Sequence, residues 1–227
     1  MSNMYDFTKT YNPLAGECAH KCKYCYVEDM KRFPVNKKKY SGNPRIDPKA
    51  IEKNLGKDHF WFVGSMTDIF AHNVSGSDIE VILDHCRSYP LNTYFFQTKN
   101  PQRVSDLIYK GGFLFPDKTI ICTTIETNRD YNLSKAPLPR QRASAMSEIQ
   151  YPKMVTVEPI CDFDIDYLLP MISRCKPFQV NIGADSKGNK LPEPEPEKIR
   201  ELIKELEKFT KVHLKPNLER LLPEIKL

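Results

Sequence analysis

The chain has 227 residues, 40% of them hydrophobic and 28% charged, the make-up of an ordinary globular protein with enough length for one large domain spanning 1–227. A formal charge of +5 with a pI near 8.7 is mildly basic and excludes a histone-like polycation. No apolar run approaches the roughly 20 residues of a membrane-spanning helix. The opening Met-Ser-Asn-Met-Tyr-Asp lacks a basic patch followed by an apolar stretch, so no secretory signal is expected. The expected compartment is therefore cytoplasmic, where seven cysteines stay reduced and available to metal.

Residues 5–12 alternate loosely and predict a first strand, and the stretch from Cys25 to Lys31 predicts a short helix. Lys31 to Arg45 reads as a basic loop. Asp47-Pro48 opens a helix as N-cap and first-turn proline, and Gly56 closes it. His59 to Val63 is a continuous apolar run of strand length, expected to be buried on both faces. Ser77-Asp78-Ile79-Glu80 is a capping box, after which Ile79, Ile82, Leu83 and Cys86 share a helical face. Thr93 to Thr98 predicts the next strand. Asn100-Pro101 caps a helix with Val104, Leu107 and Ile108 inward, which Gly111-Gly112 ends. A strand over Lys118–Ile125 is followed by a helix from about Ala136 to Ile149, then by a strand over Lys153–Val157. Ile165, Leu168, Leu169 and Ile172 make a helix stripe, and Phe178–Ile182 another strand. The clearest helix carries Ile199, Leu202, Ile203, Leu206 and Phe209, and Lys211–Leu214 is the last strand.

This alternation predicts an α/β fold of parallel strands joined by right-handed helical crossovers. Six or seven units are too few for a closed eight-fold barrel and suffice for an open, partial (β/α)6-type TIM-like barrel. In such folds chemistry sits at the carboxyl ends of the strands.

Cys18, Cys22 and Cys25 have the spacing C-x3-C-x2-C on one short loop and can converge on a single metal centre. The spacing is too tight for a disulfide framework and lacks the second C-x-x-C pair of a zinc ribbon. Iron–sulfur clusters usually take four thiolates, so three would leave one iron of a [4Fe–4S] cube without a protein ligand. The other reading is a zinc knuckle completed by His20 or a distant histidine, which makes the chain a non-catalytic zinc or iron–sulfur module that binds nucleic acid. Cys86, Cys122, Cys161 and Cys175 stand in apolar contexts and read as core thiols. The stretch Lys31–Arg45 holds Lys31, Arg32, Lys37, Lys38, Lys39 and Arg45 with no acidic residue. Interleaved Phe33 and Tyr40 suit a nucleic-acid contact by phosphate neutralisation and base stacking; a solvated loop is the plainer alternative.

A cube held by three cysteines resembles the cluster of radical S-adenosylmethionine (SAM) enzymes, where the fourth iron chelates the amino and carboxylate groups of SAM. That family commonly lays an aromatic residue, here Tyr24, against the adenine. Several polar residues at strand ends offer partners for the rest of SAM. Lys99 can pair with its carboxylate, Asp68 with Thr67 can receive its ammonium, and Glu126 can accept from ribose hydroxyls, with Thr124 beside it. Taken singly, each also reads as a capping Asp or a surface Lys.

Cys22-Lys23-Tyr24-Cys25-Tyr26, Thr67-Asp68-Ile69, Thr98-Lys99 and Thr124-Ile125-Glu126 resemble, in that order, motifs of the spore photoproduct lyase branch of the radical SAM superfamily. The chain is also similar, over most of its length, to a phage-associated family of short radical-SAM-like proteins. The shared features there are Ser65-Met66-Thr67-Asp68, Thr98 to Arg103, Val157-Glu158-Pro159 and His213-Leu214-Lys215-Pro216. The resemblance implies a [4Fe–4S] cluster on Cys18, Cys22 and Cys25, and SAM bound by Lys99, Thr67, Asp68, Thr124 and Glu126. Tyr26 is implied as a hydrogen-atom relay, and a low-potential donor of flavodoxin or ferredoxin type as the source of electrons. Reductive cleavage of SAM to methionine and a 5′-deoxyadenosyl radical, which takes hydrogen from a substrate, is the implied reaction. One departure bears on the substrate: the lyase carries a hydrogen-donating cysteine where this chain has Met66, which has no S–H to give. Nucleic acid is the first expected substrate, a protein partner of an activating enzyme the second, a small nucleotide-like molecule the third. Glu158, Asp185 and Lys215 are placed at the mouth without an assigned role, and the sequence assigns no oligomeric state.

Overall fold

Strands and helices alternate in the computed structural model, which describes residues 9–224, as the apolar pattern predicts. The first part runs β1 (Lys9–Tyr11), β2 (Leu14–Ala15), α1 (Tyr26–Met30), α2 (Pro34–Lys39), β3 (Arg45–Ile46) and α3 (Pro48–Ile51). The middle runs β4 (Phe60–Val63), α4 (Gly76–Arg87), β5 (Thr93–Thr98), α5 (Pro101–Tyr109), β6 (Thr119–Thr124) and α6 (Pro139–Glu148). The last part is β7 (Lys153–Val157), α7 (Ile165–Arg174), β8 (Gln179–Ile182), α8 (Pro196–Leu206), β9 (Lys211–Leu214) and a 3-10 turn over Pro216–Arg220. Seven strands form one parallel sheet in the order β1-β4-β5-β6-β7-β8-β9, so each new strand is laid beside the last. Among the described residues β1 and β9 are its two edges and do not pair, so the sheet is open and not a closed barrel. Among the described residues no helix is long and apolar enough to cross a membrane.

The period-two pattern of the strands decides which residues face the helices and which face the interior. Val63, Tyr94, Phe96, Ile121, Val155, Val157, Val180 and Ile182 pack against the helices, where the α4 stripe Ile79, Ile82, Leu83 and Cys86 is completely buried. The opposite face is closed at the bottom by Phe95, Cys122 and Met154, with Phe60, Phe62 and Ile120 against them. The register pairs Gln97 with Cys122 and Cys122 with Met154, and Thr124 stands two residues beyond Cys122. Gln97 and Thr124 therefore sit one layer above this apolar floor, and the interior becomes polar only toward the carboxyl ends.

Several expectations need correction. The basic stretch is not one loop: residues 34–39 form α2, with Pro34 in its first turn. None of α2 is buried, so it carries no apolar stripe that periodicity could reveal. β2 and β3 form a separate antiparallel ribbon, Leu14 opposite Ile46 and Ala15 opposite Arg45, too short to show a period. α3 ends at Ile51, ahead of Gly56. The cap of α4 is Ser75, whose Oγ accepts from Asp78 N at 3.0 Å, instead of Ser77. α6 starts at Pro139. α8 ends at Leu206, which leaves Phe209 44% exposed beyond the stripe. Among the described residues the first strand occupies Lys9–Tyr11 and Asn12 follows it; the expected residues 5–8 lie outside the described residues.

Candidate functional site

Above the apolar floor, at the carboxyl ends of the strands, lies a cavity of about 620 Å³. All three cysteines of the C-x3-C-x2-C loop line it, each partly buried and with a free thiol. The loop is secured from two sides. On one, Gly16 N donates to Lys39 O and Glu17 N to Gly42 O, each at 2.8 Å. On the other, Lys23 N donates to Leu133 O at 2.9 Å and Lys135 N to His20 O at 2.6 Å. Gly16 is required at the first anchor: its φ is +95°, and a Cβ there would stand 2.3 Å from Asn43 O.

Burial and the nearby Asp68 push the Cys18 thiol up to about 12. Burial likewise raises Cys22, against the pull of Lys99. Both are thus protonated in the absence of a cation, and a cationic centre at the loop would take the place of those protons. The four remaining cysteines are fully buried elsewhere and do not line the cavity. Among the described residues, no three His, Cys, Asp or Glu side chains stand where one metal ion could be held.

Asp68, just past β4, is the centre of one network. Its Oδ2 accepts from His20 Nε2 at 2.8 Å, from Thr98 Oγ1 at 2.9 Å and from Lys99 N at 2.9 Å, and its Oδ1 accepts from Phe70 N at 2.9 Å. Burial alone would raise this carboxyl; His20 and the two backbone amides outweigh it and hold it below the usual range. An ionised carboxylate only accepts, so His20 carries its proton on Nε2. His20 Nδ1 is buried without a partner. His20 is therefore Asp68's partner and steadies the cysteine loop between Cys18 and Cys22.

Glu126, two residues past β6, is the centre of a second network and is completely buried. Lys99 Nζ donates to its Oε1 at 2.7 Å, and the Tyr24 hydroxyl donates to the same oxygen. Arg142 Nη2 lies 2.8 Å from Oε2 as an ion pair, though not at hydrogen-bond geometry. Burial would raise Glu126, but Lys99 and Arg142 hold it far below the carboxylate range. Lys99 Nζ also stands 5.2 Å from the centre of the Tyr24 ring.

Of the residues picked out by sequence, Cys18, Cys22, Cys25, Tyr24, Tyr26, Asp68, Lys99 and Thr124 line one cavity. Glu126 and Thr67 do not. Thr67 is buried and its hydroxyl donates to Gly16 O at 3.2 Å. Tyr26 donates to Ser65 O at 2.5 Å, beside Met66, and burial pushes its phenol up to about 12. Glu158, Asp185 and Lys215 line the same cavity, with Lys215 Nζ donating to Glu158. Two functional neighbours escaped the sequence reading: His20 as the partner of Asp68, and Arg142 as a counter-ion of Glu126. The only trace of Arg142 is a charged residue on the buried face of α6, next to Ala143 and Met146.

A family model described as "Protein of unknown function (DUF5131)" matches residues 2–166. No curated protein matches the sequence. Among solved structures, the fold is similar to a spore photoproduct lyase variant with bound AdoMet and dinucleoside spore photoproduct. The TM-score is 0.61 at 12% identity, over 90% of this chain and 75% of that one. A second variant of the lyase matches at TM-score 0.63 and 12% identity, over 94% and 78%. SuiB of Streptococcus suis, bound to its precursor peptide SuiA, matches at TM-score 0.56 and 12% identity, over 97% of this chain and 53% of that one. Lyase and SuiB are both radical SAM enzymes, and the chain has their fold.

Proposed function

We propose that this chain, which belongs to the DUF5131 family, is a radical SAM enzyme. The observation that carries the reading is the convergence of Cys18, Cys22 and Cys25, with no fourth cysteine, on a large cavity at the carboxyl ends of an open parallel sheet. The donor set fits a [4Fe–4S] cluster: three free, soft thiols on one short loop at the cavity wall. The likeness in fold to spore photoproduct lyase supports the same reading. When bound, cluster and SAM would supply one-electron cleavage of the sulfonium and abstraction of hydrogen from a substrate.

The chain's own part is to bind, orient and shield. Cys18, Cys22 and Cys25 would hold the cluster. Lys99 would meet the carboxylate of SAM, Tyr24 its adenine and Thr124 a ribose hydroxyl. Asp68 has four protein donors on its two oxygens and one acceptor position left on Oδ1, which suits an ammonium group. Thr67 acts indirectly by holding Gly16, and Glu126 by fixing Lys99 and Tyr24. Tyr26, with its O–H on Ser65 O at the cavity wall, is the relay candidate. The apolar floor of Phe62, Phe95, Cys122 and Met154 excludes water from below.

For the substrate, nucleic acid is favoured by the segment strapped to the cysteine loop. Lys31 and Lys39 are paired with Glu17, Glu28 and Asp47, but among the described residues Lys37 and Lys38 form no ion pair. Phe33 is 52% exposed with the Arg32 guanidinium 4.9 Å from its ring centre. A peptide is the second reading, supported by the likeness to SuiB, whose structure contains one. The test of the enzyme is anaerobic reconstitution with iron and sulfide, then SAM and dithionite. Methionine and 5′-deoxyadenosine should form, and not in Cys18→Ala, Cys22→Ala or Cys25→Ala. Stoichiometric zinc with no SAM binding would refute the reading.

A further inference from the structure

We infer that Arg142 is a positioning residue for the candidate site: by serving as the resident counter-ion of Glu126, it leaves Lys99 with charge to offer an anionic group in the cavity. The inference rests on the proposed SAM site and goes beyond it by assigning a residue that never reaches the cavity. Arg142 lies on the inward face of α6 and is 3% exposed. Its Nη2 is 2.8 Å from Glu126 Oε2, and its Nη1 donates to the carbonyl of Thr124.

The argument is one of charge. Two cations, Lys99 and Arg142, share one completely buried carboxylate, so the group as a whole carries one positive charge in excess. Arg142 is enclosed away from the cavity, whereas Lys99 lines it, and Lys99 is the cation whose charge a ligand can meet. If Arg142 is removed, Glu126 has Lys99 alone to neutralise it. An incoming carboxylate must then compete with a buried ion pair, and separating such a pair is costly. With Arg142 present, Lys99 can lean toward a ligand while Glu126 stays paired.

A second feature supports a built arrangement. Glu126 Oε2 and Arg142 Nε are both buried without a hydrogen-bond partner in the protein. Both residues line a separate small cavity of about 50 Å³ under the segment 127–139. That is room for ordered water, which would complete their hydrogen bonding without drawing on Lys99. The same segment supplies Leu133 and Lys135, which hold the cysteine loop, so Arg142 sits under the anchor of that loop.

The experiment measures equilibrium binding of SAM to the anaerobically reconstituted full chain, with 5′-deoxy-5′-methylthioadenosine, which lacks the carboxylate, as the control ligand. Arg142→Met should weaken SAM at least tenfold and leave the control ligand within twofold. Arg142→Lys should recover most of the loss. The double variant Glu126→Gln with Arg142→Met removes the competing carboxylate and should bind SAM at least threefold more tightly than Arg142→Met, a rescue that a purely structural role would not produce. If Arg142→Met does not fold, Glu126→Gln and the double variant are compared instead, and they should bind SAM within threefold of each other. Equal SAM affinity in a folded Arg142→Met, equal losses for both ligands, or no rescue in the double variant would each overturn the inference while the SAM site stands. No SAM binding to the unmodified chain would overturn both.

Discussion

The replacement Asp68→Asn tests the network that holds the cysteine loop. Three donors surround Oδ2, and one, Phe70 N, addresses Oδ1. Asparagine would keep its oxygen toward the three and turn its NH2 toward Phe70 N, which would orphan that amide at a cost of about 1–3 kcal/mol. The three surviving bonds would lose their charge assistance, since bonds to charged groups are worth roughly twice neutral ones, about 1.5–3 against 0.5–1.5 kcal/mol. With a side chain only 10% exposed, little of this is recovered from water. Together these come to roughly 4–7 kcal/mol, and relief from burying a charge offsets part of it. The expected loss is about 3–5 kcal/mol, large enough to read by urea unfolding yet below the total stability of many single domains, about 5–15 kcal/mol.

The pH dependence has a definite sign. The folded carboxyl is held below its ordinary value, so its contribution is present above the unfolded pKa, about 3.9, and is lost as pH falls through the folded one. The gap between the parent and Asp68→Asn should therefore be full at pH 6 and shrink below about pH 4. Iron bound per chain after reconstitution should fall with it, because the bond that anchors His20 is weakened. A gap under about 1 kcal/mol at pH 6, or one that widens toward acid, would refute the reasoning.

Three further outcomes follow from other parts of the molecule. Gly16→Ala forces a Cβ to 2.3 Å from Asn43 O at a φ of +95°, and should lower the melting temperature by on the order of 5–10 °C. Lys37→Ala with Lys38→Ala should weaken single-stranded DNA or RNA binding at low salt and flatten its salt slope by about 1.4, checked by fluorescence anisotropy; an unchanged slope would argue against phosphate contacts there. Burial raises the Glu158 carboxyl, with Lys215 partly opposing it. Lys215→Met should raise it further, so the stability lost by that variant should be larger at pH 8 than at pH 5, since a raised carboxyl contributes at low pH and costs stability once ionised.

The order of elements was legible in the chain because each strand is a short apolar run and each large helix has its own 3.6-residue stripe. α4 and α8 follow from Ile79, Ile82, Leu83 and Cys86, and from Ile199, Leu202, Ile203 and Leu206, by local spacing alone. Parallel order in the large sheet followed as well, because each of its strands is separated from the next by a crossover helix or an equivalent length of chain. The cysteine triplet was equally plain, since ligands within eight residues declare themselves without the fold. Segments with no buried face, such as α2, and ribbons of two residues, such as β2 with β3, left no period to read.

The pairings inside the site were decided only by tertiary structure. Asp68 meets a histidine 48 positions earlier, and Glu126 meets Lys99 from another strand end and Tyr24 from the cysteine loop. Thr67, Asp68 and Glu126 read alike in sequence as polar residues at a strand end. Register and loop closure turn Thr67 to Gly16, surround Asp68 with donors and bury Glu126 between two cations. The physical reason is range: spacing along the chain decides local periodicity and ligand triplets, whereas a buried charge takes whichever partners seven strand ends bring together.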